Sequence, residues 1–286
     1  MRSSNPVLSR PDAFTPQPQQ QAPYGQQPYG YQQYPGQQGY QQPGYGQPGQ
    51  PGYEPQYGQP PAGPAAGVMT IDDVITKSAI TMGTVIAVAA ITFMFMPAAL
   101  LWPAAIISAL VGFATVMLVA FRRVINPTMV LVYAAIEGVF VGAISKLYEG
   151  LFDGIVPAAV MATLIAAGAT LAAYKFFRIR VTGTFRKVVM IGTLAYAAVL
   201  MVNFVMAMFG MGFLFSGGNL MFLLLISAIG VGLAVLNLIL DFDFVEQGIA
   251  MRAPAEESWR AAFGLTVTMV WLYIEMLRLL SYLRQN

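Results

Sequence analysis

No charged residue interrupts positions 78–121, a run of 44, and none interrupts positions 188–240, a run of 53. As one helix, the shorter run would extend ~66 Å at 1.5 Å per residue. A bilayer core is ~30 Å thick, so each run must fold back on itself as a hairpin of two spanning helices. Soluble domains carry about 25% charged residues. This 286-residue chain carries 10%, with 57% hydrophobic residues, although its first 67 residues are polar. Those grounds argue against a soluble enzyme.

The breaks are visible. Pro97 and Trp102-Pro103 interrupt the first run and supply an interfacial aromatic, and Phe215-Ser216-Gly217-Gly218-Asn219 interrupts the second. The spans fall near 78–100, 104–121, 128–147, 155–175, 188–209, 220–240 and 262–283. The fold class is all-α: a seven-helix transmembrane body over 68–286 behind a polar tail over 1–67. Between tail and body, Thr70 is placed to cap a first turn carrying Asp72 and Asp73, which suit a helix N-terminus.

The tail is built from Pro, Gln, Gly and Tyr between positions 11 and 64. It lacks aliphatic residues and cannot bury enough surface to offset chain entropy, so it is expected to be disordered. Its Gln/Tyr composition also suits weak self-association or partner docking. No basic segment precedes an apolar one, so it does not read as a signal peptide.

With the N-terminus placed in the cytoplasm, ten cations of the body fall inside: Lys77, Arg122, Arg123, Lys175, Arg178, Arg180, Arg186, Lys187, Arg252 and Arg260. Three fall outside, Lys146, Arg278 and Arg284. The positive-inside rule therefore favours N-in, C-out, and the cluster over 175–187 is most simply a topology determinant, with anionic lipid as a second partner.

The chain has no Cys and no His. Thiolate chemistry, imidazole bases, His-ligated metals and the Ser-His-Asp arrangement are excluded. Ionisable residues at membrane depth are costly and are functional hypotheses by default. Glu137 lies mid-way along the third span, Asp241 and Asp243 end the sixth in NLILDFDFVEQG, and Glu275 lies in the seventh in VWLYIEMLRLL. Arg278 follows Glu275 by three residues and can pair with it on one helix face. Asp241 and Asp243, two apart, point to nearly opposite sides of a helix, so at most one faces the bundle interior. Glu137 serves either as hydrogen-bonded packing glue or as part of the same carboxyl system. Carboxyls withdrawn from water and set beside one another share protons or bind a cation, which is enough for a pH- or cation-gated path. Gly138 and Gly142 form a GxxxG read as helix packing, and Asn203 and Asn237 are candidates for interhelical hydrogen bonds.

The body from about 70 to 284 resembles the Bax inhibitor / YccA family of seven-span membrane proteins. The resemblance rests on Leu-Asp-Phe-Asp followed by Gln247 at the end of the sixth span, Trp-Leu-Tyr-Ile-Glu then Arg-Leu-Leu in the seventh, and a polar loop only before the last span. The tail lies outside it and looks like tails on actinobacterial members, which implies a bacterial plasma membrane. The resemblance implies a central seventh helix wrapped by the other six. It implies a sixth-span aspartate, Asp241 or Asp243, paired with Glu275 as a pH sensor for a calcium leak, and an arginine latch at Arg122 or Arg123. A transient Ca²⁺ at Asp241, Asp243 and Glu275 follows from the same source. Glu275 stands where the family usually has Asp. It also follows Trp259 by 16 residues, ~24 Å if all helical, so the pairing requires 256–263 to be a separate interfacial segment.

The leading expectation is a pH-sensitive cation leak channel, with the lipid bilayer, Ca²⁺ and H⁺ as partners and with no enzymatic activity, cofactor or nucleic acid. The alternative is a non-transporting regulator of a membrane-bound AAA protease, engaged through the tail, or of a stress response. An intramembrane aspartyl protease is disfavoured, because its Gly-x-Gly-Asp and Tyr-Asp patterns are missing.

Overall fold

The structure, a computed structural model, describes residues 67–122, 124–211 and 220–285. The expected tail, the turn at 215–219 and Arg123 lie outside the described residues. The described chain is seven α-helices: α1 Ile71–Phe95, α2 Ala98–Ala120, α3 Pro127–Glu149, α4 Ile155–Phe176, α5 Gly183–Met208, α6 Leu220–Ala250 and α7 Glu257–Leu283. All seven are long and apolar enough to cross a membrane. The residues they leave exposed, such as Ile86, Ile165 and Ile191, are large and aliphatic, which only lipid tolerates in such number. The protein is a multi-pass membrane protein.

Local chemistry sets the ends. Thr70 accepts from the Asp73 N–H at 3.2 Å, as its sequence position predicts. Asn126 caps α3 ahead of Pro127, and Thr182 caps α5. The break between α1 and α2 falls at Met96 and Pro97, while Pro103 is absorbed within α2. The expected first span over 78–100 is thus shifted: α1 starts at Ile71 and turns the lead-in into helix. Lys77 on that first stretch bonds Asp73 at 2.7 Å and the Ala255 carbonyl at 2.9 Å. Just before α1, Met69 N–H donates to the Ala253 carbonyl at 2.8 Å, so the start of the body is stitched to the loop between α6 and α7.

The largest departure is α6. Expected to end at 240, it runs on through both aspartates to Ala250. The Gln247 amide reaches back one turn to the Asp243 carboxylate at 2.6 Å, which supports the extension.

Helix α7 packs against α1, α3, α4 and α6. It buries Glu275 and Leu277 fully, along with much of the core. It is central: α1, α3, α4 and α6 meet it along the backbone, while α2 and α5 reach it through side chains, Val119 in a cluster with Phe263 and Tyr196 against Glu275 and Trp271. The GxxxG of α3 lies against α1. A Cβ on Gly138 would stand 2.8 Å from the Val85 carbonyl oxygen, and one on Gly142 would strike the Ala89 backbone. Only glycine admits that approach.

Candidate functional site

The four membrane carboxyls fall in separate places, and the expectation that they act as one system is corrected accordingly. Glu137 belongs to the contact between α2 and α3. A Cβ on Gly112 would stand 3.1 Å from its Oε2, and the Tyr133 phenol lies beside it on the same helix. Tyr133 in turn meets Phe263 edge-on, with ring centroids 5.0 Å apart, which fixes this corner against α7.

Asp241 faces α7. Its Oδ1 would lie 3.3 Å from a Cβ on Gly264, and the Thr268 hydroxyl is one turn along the same face. Its Oδ2 is buried without a hydrogen-bond partner among the described residues. Asp243 faces α5 instead. Arg186 Nη2 reaches its Oδ2 at 2.9 Å, beside the Gln247 amide. The two aspartates thus point to different neighbours, as their spacing requires, yet both are enclosed.

Glu275 is the most thoroughly bonded acid among the described residues. Tyr196 of α5 donates to its Oε1 at 3.0 Å, Trp271 Nε1 at 3.2 Å and Arg278 Nη1 at 3.0 Å. Arg278 also reaches Oε2 at 3.1 Å. Tyr196 stacks on Trp271 at 6.0 Å between centroids. Gly230 of α6 closes the cluster, because a Cβ there would come within 2.7 Å of the Glu275 carboxyl carbon.

Asp241 and Asp243 therefore do not meet Glu275. Helix α7 is continuous from Glu257, so 256–263 is not a separate segment, and Glu275 sits 18 residues into the helix, ~27 Å along it. Nor do three carboxylates converge: no group of three acids able to hold a metal ion is found among the described residues. The suggested Ca²⁺ site at Asp241, Asp243 and Glu275 has no such geometry here. The arginine latch also differs. Arg122 offers its backbone carbonyl to Arg260, with both guanidinium nitrogens at 3.4 Å, and is not in an ion pair among the described residues. The arginine that meets a sixth-helix aspartate is Arg186.

Sequence reading missed Arg186, Tyr196, Trp271 and the facing glycines. Arg186 was visible only as one cation in a topology cluster; that it lies at the same end of the bundle as Asp243 is the signal that was available. Asn237 is found where a polar span residue should be, donating to Thr193 Oγ1 at 2.7 Å and joining α6 to α5.

No curated protein matches this chain. The family model described as Bax inhibitor 1 like matches residues 5–285, so the match begins inside the polar tail that the resemblance had left out. With nearly the whole length matched and seven membrane-length helices in place, the chain belongs to the Bax inhibitor 1 like family.

Proposed function

We propose that the protein is a pH-sensitive cation leak pathway, with the seam between α6 and α7 as the route and Asp241 as the group at which protons and cations compete. The observation that carries this reading is the buried Asp241 Oδ2, which meets no donor among the described residues. A carboxylate oxygen withdrawn from water is costly unless a proton, a donor or a cation attends it. Proton and cation are alternative occupants of one oxygen, so cation occupancy falls as acidity rises. Ca²⁺, a hard cation that prefers oxygen ligands, is the ion to test.

Glu275 takes a different part. Its donors are already in place, so the Glu275–Arg278–Tyr196 cluster acts as a plug further along the same seam. The Arg186–Asp243 pair acts as the latch that joins α5 to the end of the path. With the N-terminus in the cytoplasm, Asp241 belongs to the cytoplasmic half.

The test is Ca²⁺ flux into proteoliposomes between about pH 5 and pH 8, with wild type beside Asp241→Asn and Glu275→Gln. Flux in the wild type is expected to rise with pH, Asp241→Asn to flatten that dependence, and Glu275→Gln to raise basal flux. An Asp241→Asn profile identical to wild type would remove Asp241 from the path. Absence of flux at every pH, from folded protein, would overturn the leak reading and favour a regulator of a membrane protease.

A further inference from the structure

Helices α1 and α4 both pack on α3 or α7 but not on each other. Between them lies a cleft of about 440 Å³, floored by α3 and α7. Its walls are Met82 and Met94 of α1 and Val160 and Leu164 of α4. At its floor are Ser145 and Tyr273. These two hydroxyls bond each other at 2.7 Å, and Thr163 Oγ1 bonds the Ala159 carbonyl at 2.7 Å. The hydroxyls that line the cleft are therefore already satisfied, and the rest of its surface is hydrocarbon. Such a site stays dry and takes an apolar occupant.

Size separates the candidates. Met82 to Met94 is 12 residues of helix, ~18 Å, close to the ~15 Å hydrocarbon depth of one leaflet. A hydrocarbon-lined cleft of that depth matches the reach of a single extended acyl chain.

Charge identifies the head of that chain. Phe93 lines this cleft and also a second cavity at the same end, where Lys146 and Trp102 stand. Trp102 is exposed, as an interfacial aromatic would be. Lys146 donates to the Met96 carbonyl at 2.9 Å and is in no ion pair among the described residues. The neighbouring carboxylate, Glu149, is occupied by the Gly154 and Val156 N–H groups at the start of α4. A cation at headgroup level beside an apolar, leaflet-deep cleft complements a phosphate carrying an acyl chain.

We propose that the cleft between α1 and α4 binds one anionic membrane phospholipid, its acyl chain over Tyr273 and its phosphate at Lys146. The proposal does not rest on the carboxyl reading above.

The test is native mass spectrometry of the full-length protein, delipidated in detergent and then given palmitoyl-oleoyl phosphatidylglycerol. Wild type is expected to retain one lipid molecule. Ala90→Phe and Val160→Phe, which fill the cleft from either wall, are expected to cut retention at least tenfold. Ile191→Phe, on the lipid face of α5, is expected to leave it unchanged. Lys146→Gln is expected to remove the preference for phosphatidylglycerol over phosphatidylcholine. Circular dichroism reports folding, and either cleft variant alone suffices if the other does not fold. Wild-type retention in a folded cleft variant would overturn the proposal. So would displacement of the lipid by glycerol 3-phosphate alone, or a wild-type dimer that the cleft variants turn into a monomer.

Discussion

Asp241 and Glu275 occupy matching places in the antiparallel register of α6 and α7. Each carboxyl faces a glycine of the opposite helix, Asp241 at Gly264 and Glu275 at Gly230, and eleven residues separate acid from glycine on both helices. The two sites are thus ~16 Å apart along the seam. Their surroundings differ. Arg278, Tyr196 and Trp271 saturate Glu275, while Thr268 is the polar neighbour of Asp241.

Gly230→Ala should lower stability by about 1–3 kcal/mol, because the added methyl overpacks the Glu275 cluster. Gly232→Ala, two residues on with nothing within 4 Å of a Cβ, should be neutral or slightly stabilising. Thermal unfolding in detergent compares the two, and equal Tm values would refute the crowding.

Arg278→Gln should cost about 3–5 kcal/mol, because it strands a buried carboxylate. Arg186→Gln should cost under about 1 kcal/mol, since that guanidinium is 47% exposed and solvent screens its pair with Asp243. Adding Glu275→Gln to Arg278→Gln should recover part of the loss. A double variant as unstable as the sum of its singles would show that the pair is uncoupled.

Gly264→Ala brings a methyl to 3.3 Å from Asp241 Oδ1. It should reduce Ca²⁺ flux through the seam several-fold while leaving Tm within a few degrees of wild type. Full flux in that variant would argue that cations do not pass Asp241.

Met69, 2% exposed, packs with its sulfur 2.7 Å from where a Cβ on Gly248 would stand, and its N–H donates to the Ala253 carbonyl. Met69→Ala should cost about 2–3 kcal/mol. Deleting residues 1–66 should cost nothing measurable, whereas deleting 1–70 should lower Tm by several degrees. Equal Tm for the two truncations would show that the stitch at 67–70 adds no stability.

The seven helices were legible because charge is absent where lipid must be, and that pattern is local. The Glu275–Arg278 pair was legible for the same reason, as two residues one turn apart. What could not be read were the relations between helices. The end of α6 looked like residue 240 because Asp241 begins an acidic stretch; the stretch stays helical since Asp243 finds Arg186 on α5 and Gln247 one turn along, and Glu246 finds Tyr174 on α4. The resemblance placed Asp241 or Asp243 beside Glu275, but the antiparallel register puts a glycine opposite each. Glu137 gave no sign in its own sequence that Gly112, on another helix, makes room for it.

Helix α5 buries two of its 26 residues, Val189 and Tyr196, and has only α6 as a backbone neighbour. Among the directional bonds that hold it are those from Arg186 to Asp243, from Asn237 to Thr193 and from Tyr196 to Glu275. At the Thr193 and Tyr196 bonds hydrocarbon offers no water to substitute for a lost partner, and lipid tails solvate apolar side chains as well as a neighbouring helix does. Such a helix cannot loosen by degrees. It stays docked or trades each bond for another, so the outer wall of the seam behaves as a strut fastened at discrete points, and releasing those fastenings is the least disruptive way to open the molecule sideways.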